Sequence, residues 1–188
     1  MGITVDQARA LMHEWVASMG LRHHMECVAA CMAYSAAKIM PEEVDRWTIC
    51  GLLHDFDYER HPTQEEHPFV GVAYLRERGD VDEEIIQAIL GHATYSGVER
   101  TGDMARYLFA VDELSGFIVA CCKVRPGGID GLTPKSVQKK LKTANFAAAV
   151  SRDDIATGAA ELGWEPTELI QHCIDGLSRQ SRSLMLAS

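Results

Sequence analysis

No apolar run in the chain approaches the ~20 residues that a membrane span needs, although 47% of its 188 residues are apolar. Its six cysteines form no paired C-x-x-C units. That excludes a cysteine-held metal pattern and leaves buried, reduced thiols as the simplest account. Excess positive charge is also missing: 18 Lys and Arg face 27 Asp and Glu, for a net charge of −9. Nucleic-acid binding by the overall field is therefore not expected. No charged-then-apolar leader opens the chain. Position 6 after Met1-Gly2 is Asp6 rather than Ser or Thr, so the myristoylation pattern fails. The expectation is a cytoplasmic protein with no membrane partner. Polar–apolar alternation is absent and β-branched residues are scattered, so no strand is expected. Neither an internal repeat nor a linker interrupts the chain.

What is present is helical periodicity. The length suits one domain, 1–188, with a real core, and the charged fraction of 24% is that of a globular chain. Thr4-Val5-Asp6-Gln7 reads as a capping box that opens a helix to about Ser18, with Gly20 breaking it. A second helix follows over about Leu21–Met40, and Pro41 starts a third that runs into His54-Asp55. Residues 57–66 are polar, contain Pro62 and read as a loop. His67-Pro68 begins a fourth helix, Asp82-Glu83-Glu84 a fifth that closes near His92, and Asp103 a long apolar one to Val124. Thr133-Pro134, Ser151 and Pro166 open three more, after which the tail is expected to fray. The class is all-α.

Chemistry enters with Cys50-Gly51-Leu52-Leu53-His54-Asp55. Adjacent residues on a helix point in different directions, so His54 and Asp55 can aim at one point only where the helix ends or kinks. Four other polar residues stand at comparable places. His24 lies near the start of a helix, His67 starts one, and His92 ends one. Asp112 sits inside the most apolar helix of the chain, Leu108 to Ala120. A carboxylate there costs several kcal/mol unless it is paired or bound to a metal. A metal supplies a partner; Arg106 or Lys123 would be the alternative.

The order His24, His54-Asp55, His67, His92, Asp112 resembles the HD superfamily of metal-dependent phosphohydrolases, over about residues 20–126. The segments His67-Pro68-Phe69-Val70-Gly71 and Ile89-Leu90-Gly91-His92-Ala93 are also similar to the family. His54-Asp55-Phe56-Asp57 departs from the subtype with Gly at the fourth place, and the Gly-Tyr-Pro element of the cyclic-dinucleotide subgroup is missing. The resemblance implies an HD-type helical bundle with a C-terminal helical extension, 127–188. It also implies a two-metal centre. His24, His54, Asp55 and Asp112 would hold one divalent ion, and Asp55 would bridge to a second, held also by His67 and His92. An all nitrogen and oxygen set suits Mn, Fe, Co, Ni, Zn or Mg without choosing among them. The implied reaction is phosphoester hydrolysis by a metal-activated hydroxide. Asp55 belongs to that centre, and Asp57, Glu66 and His61, in the adjoining loop, are the candidate proton donors.

A basic stretch follows. Lys123, Arg125, Lys135, Lys139, Lys140, Lys142 and Arg152 face one acid before position 152, Asp130. Lys and Arg suit phosphate oxygens, so Lys123, Arg125, Lys135, Lys139 and Lys140 are candidate substrate-binding residues; a solvated helix face is the plainer alternative. The leading expectation is hydrolysis of a small anionic phosphorylated molecule, nucleotides included. Two other readings are a di-iron oxygenase on the same scaffold and a non-catalytic metal- or nucleotide-binding module.

Overall fold

A computed structural model describes residues 2–187, and among them there are nine α-helices and no strand. They are α1 (Val5–Trp15), α2 (Met19–Ile39), α3 (Val44–Leu53), α4 (Phe69–Arg78), α5 (Glu83–His92), α6 (Asp103–Lys123), α7 (Pro134–Leu141), α8 (Arg152–Leu162) and α9 (Pro166–Arg179). Their starts follow from side chains that accept orphan backbone N–H groups. Thr4 and Gln7 form the capping box of α1. Asp82 caps α5 through Ile85 N at 3.1 Å, and Ser151 caps α8 through Asp154 N at 3.1 Å.

Two expectations from the sequence are corrected. The first helix stops at Trp15, and Gly20 does not break a helix but lies inside α2. Ser18 is the reason: its hydroxyl accepts from Leu21 N and starts α2 two residues early. The tail does not fray. Leu184 and Leu186 are buried, and Ile129 N donates to Leu186 O at 2.8 Å. The segment is a turn, closed by Leu184 N donating to Gln180 O at 2.9 Å and Leu186 N to Ser181 O at 2.8 Å, and it carries both leucines into the core.

The site is positioned by α2, α3, α5 and α6, which pack on one another around a single hydrophobic cluster that also takes in α8 and α9. Gly51 permits the tightest crossing. A Cβ there would lie 2.5 Å from Ala29 Cα, so only glycine lets α3 approach α2 this closely. That crossing delivers the end of α3, with His54, against His24 of α2. α6 is apolar nearly throughout, with Leu108, Val111, Leu114, Phe117 and Ile118 all buried. Each such side chain contributes about 1.5–3 kcal/mol through burial, which fixes the helix that carries Asp112.

Candidate metal centre

The end of α3 solves the problem of aiming adjacent residues. α3 ends at Leu53, and its cap His54 keeps helical dihedrals, with φ at −61° and ψ at −35°. The chain then turns tightly, with Tyr58 N donating to Asp55 O at 3.0 Å and His61 N to Asp57 O at 2.9 Å. Asp55 is thereby released from the helix and swings beside His54. The other members arrive from α2 (His24), the segment before α4 (His67), the last residue of α5 (His92) and the middle of α6 (Asp112).

All six converge, and Asp55 joins two halves. Its Oδ2 lies 3.8 Å from His24 Nε2 and 3.5 Å from His54 Nε2. Its Oδ1 lies 3.3 Å from His67 Nε2 and 3.2 Å from His92 Nε2. Asp112 Oδ1 completes the first half, 3.0 Å from His24 Nε2 and 3.4 Å from His54 Nε2. Asp112 pairs with neither Arg106 nor Lys123; among the described residues its ionic partners are these two histidines.

The donor set fits divalent cations on three grounds. Ligand atoms about 2.0–2.2 Å from a common ion stand roughly 3–3.6 Å apart, which is the spacing within each half except for His24 Nε2 and Asp55 Oδ2, at 3.8 Å. The ring tautomers agree as well. A carbonyl can only accept, so His54 Nδ1 donates to Gly51 O at 2.8 Å and His92 Nδ1 donates to Ile89 O. His67 Nδ1 donates to the Asp57 carboxylate at 2.7 Å. In a neutral ring each Nε2 then offers a lone pair, and His67 Nε2 and His92 Nε2 face each other at 3.3 Å. Two converging lone pairs are relieved by positive charge between them, a proton on one ring or a bound metal ion. The electrostatics point the same way. Burial drags the His54 and His67 rings down, yet the neighbouring carboxylates outweigh it. His54 ends well above the usual histidine range through Asp55 and Asp112, and His67 rises to about 9 through Asp55 and Asp57. Burial pushes the Asp55 and Asp112 carboxyls up, but the adjacent histidines hold both below the usual carboxylate range. The centre favours positive charge. Two groups of metal-ligating type result, His24–His54–Asp55 and Asp55–His67–His92.

Asp57 stands behind this cluster, 1% exposed. One of its oxygens takes the His67 proton and the other accepts from Gly71 N at 2.7 Å. A Cβ at Gly71 would come within 2.7 Å of that carboxylate, so the glycine makes the room. The arrangement orients a candidate ligand from outside the cluster.

The cluster floors a cavity of about 380 Å³. Its walls include Tyr58, Tyr95, Glu113, Gly116 and Asp154. Burial and the Asp112 charge push the Glu113 carboxyl up to about 7, while its bond from Ser151 N opposes them. Of the expected proton donors, Asp57 is sealed behind His67, whereas His61 and Glu66 pair with each other at 3.4 Å and do not line the cavity. Among the expected substrate-binding residues, Lys123 and Arg125 line a neighbouring groove. Lys135, Lys139 and Lys140 line neither space, and the Lys140 ammonium lies over the Phe146 ring at 4.6 Å. Sequence reasoning missed Tyr58, Tyr95, Glu113 and Asp154. Glu113 adjoins Asp112, but Asp154 arrives through the packing of α8 on α6, which leaves no local signal.

No helix among the described residues is long and apolar enough to cross a membrane. Comparison with curated proteins and with solved structures gives no match. The family model described as HD domain matches residues 21–116, a span that starts in α2, takes in all six converging residues and ends in α6; with this fold and this cluster, the chain belongs to the HD-domain family.

Proposed function

We propose that the protein is a metal-dependent phosphohydrolase that cleaves a phosphoester of a small phosphorylated molecule, nucleotides being one such class. The observation that carries this reading is the split use of Asp55, one oxygen toward each histidine pair. His24, His54, Asp55 and Asp112 would hold one divalent ion; Asp55, His67 and His92 would hold the other. Two such ions supply Lewis acidity, lower the pKa of water and clamp phosphoryl oxygens. The chain's own contribution is position. Asp57 fixes the His67 ring, and Gly51 and Ile89 carbonyls fix those of His54 and His92. The cavity volume lies within the roughly 300–1,000 Å³ of small-molecule sites. In the reaction, water adds to phosphorus, the P–O bond to the leaving group breaks, and the leaving oxygen takes up the proton that the water gives up.

The test is anaerobic incubation of Mn- or Co-reconstituted protein with a panel of nucleotides, sugar phosphates and simple phosphate esters. Inorganic phosphate release from at least one of them supports the reading. Turnover only with iron and oxygen, oxygen being consumed in step with substrate, would replace it with oxygenase chemistry on the same ligands.

A further inference from the structure

A second hollow of about 610 Å³ runs alongside the metal cavity and shares two of its walls, His24 and Gly116. Gly116 lies one turn beyond Asp112 on α6. A Cβ there would have ordinary clearance, its nearest contact being His24 Nδ1 at 3.7 Å. Packing therefore does not require glycine at this place, and glycine is unfavourable inside a helix. What the missing side chain does is leave the junction between the two spaces open.

The two spaces have opposite polarity. The metal cavity is lined by four carboxylates, those of Asp55, Asp112, Glu113 and Asp154, and by no Lys or Arg. Among the described residues, the groove is lined by Lys123 and Arg125 and by no carboxylate. Arg125 is committed to the turn that follows α6, donating to Gly128 O at 3.2 Å and Asp130 O at 3.1 Å. Lys123 has no ion-pair partner among the described residues. It stands 11 residues beyond Asp112 on one helix, or about 16 Å along the axis.

Between these ends the wall is mainly apolar, with His23 the one polar side chain besides the shared His24 among the described residues. Met185 and Met19, 78% and 71% exposed, are the two most exposed large apolar side chains among the described residues, and both line the groove with Val119 and Cys122. Met185 is held there. Its backbone is left-handed, with φ at 52°, a strained state for a non-glycine residue. Buried Leu184 and Leu186 anchor it on either side, and His23 Nε2 donates to Leu184 O at 2.8 Å. The tail thus builds a flexible, methionine-faced wall beside the metal cavity. Methionine adapts its shape to apolar ligands.

We propose that this groove receives the leaving group of the substrate: an elongated, mainly apolar moiety that ends in an anionic group, a carboxylate or a second phosphate, at Lys123. The assignment rests on the metal cavity taking the phosphoryl group. Continuity through Gly116 selects a part of the substrate as the occupant, and the polarity reversal selects the terminal anion.

The test measures binding apart from turnover. Calorimetric titration of Mn-loaded protein with ethyl, hexyl and decyl phosphonates, with and without a terminal carboxylate, gives affinity against length. Affinity should climb about two- to fourfold per methylene that enters the groove, and the terminal carboxylate should add to it only on long chains. Lys123→Glu should remove the carboxylate gain. Met185→Gly, which suits the left-handed backbone and should not lower the melting temperature, should reduce the decyl-to-ethyl affinity ratio. Equal affinities for ethyl and decyl phosphonates, or no binding of either, would overturn the groove. So would a dimer in sedimentation that Met185→Gly dissociates, since a second copy would then cover this wall. Release of phosphate from the matching esters is scored separately: a length-dependent affinity without release keeps the groove and removes the hydrolase reading.

Discussion

Replacing Asp57 by Asn isolates the orientation of His67 from the cluster itself. The carboxylate is buried and gives one oxygen to His67 Nδ1 and the other to Gly71 N, both at 2.7 Å. Asn retains one acceptor and adds an NH₂ group. Whichever way the amide turns, that NH₂ faces a donor. A charge-assisted hydrogen bond is worth about 1.5–3 kcal/mol, so unfolding of the metal-free protein in urea should show a loss of about 2–3 kcal/mol. The freed ring can also place its proton on Nε2, the atom that faces Asp55 and His92. Loss of such an outer hydrogen bond typically costs 10–100-fold in metal affinity, or about 1.4–2.7 kcal/mol. Competition with a chelator of known affinity reads this directly. The ion of the His67–His92 half should be the one affected, because His67 belongs to that half only. Wild-type metal affinity in Asp57→Asn would refute the reasoning, and a stability loss without an affinity loss would reduce Asp57 to a structural carboxylate.

Other outcomes follow from the same geometry. Asp55→Ala removes the residue common to both halves, so metal content should fall to near zero while His67→Ala retains the ion at His24, His54 and Asp112; plasma emission analysis of both variants decides it. Gly51→Val should destabilise the fold by about 3 kcal/mol or more, because the new Cβ would sit 2.5 Å from Ala29 Cα, and chemical denaturation would show it. Burial and the Lys38 charge lower His172 to about 4, against Asp175. Since the folded value lies below the unfolded one near 6.5, stability is full above about pH 6.5 and declines toward pH 4, by about 2 kcal/mol after allowing for solvent; His172→Gln should flatten that slope. Lys123→Glu should raise KM for the identified substrate, whereas the pair Lys139→Glu and Lys140→Glu, outside both hollows, should not.

How far the sequence could be read depended on whether a residue's partners were local. Helix starts were legible because a cap is a four-residue event: Thr4 with Gln7, Asp82 with Ile85. The six converging residues were legible because polar groups at helix ends, and one carboxylate in an apolar helix, are locally anomalous. Ser18 was misread because Gly20 looked like a breaker, while a cap two residues before it made that glycine an ordinary first-turn residue. The tail was misread because Leu186 is held by Ile129 and Leu184 by His23, both far away in sequence. Lys135, Lys139 and Lys142 form a legible basic face, but where α7 points is set by its packing on α9 and α6, which no local pattern encodes. Asp57 was legible as a polar residue beside the site and illegible as a buried one, since the space that seals it is made by Gly71.

The most direct test of the account is the metal content of protein purified without chelators and then titrated with Mn. Two divalent ions per chain are expected at saturation, dependent on Asp55 and divided between the His24–His54–Asp112 and His67–His92 halves. No stoichiometric metal in the wild type, even after reconstitution, would contradict it.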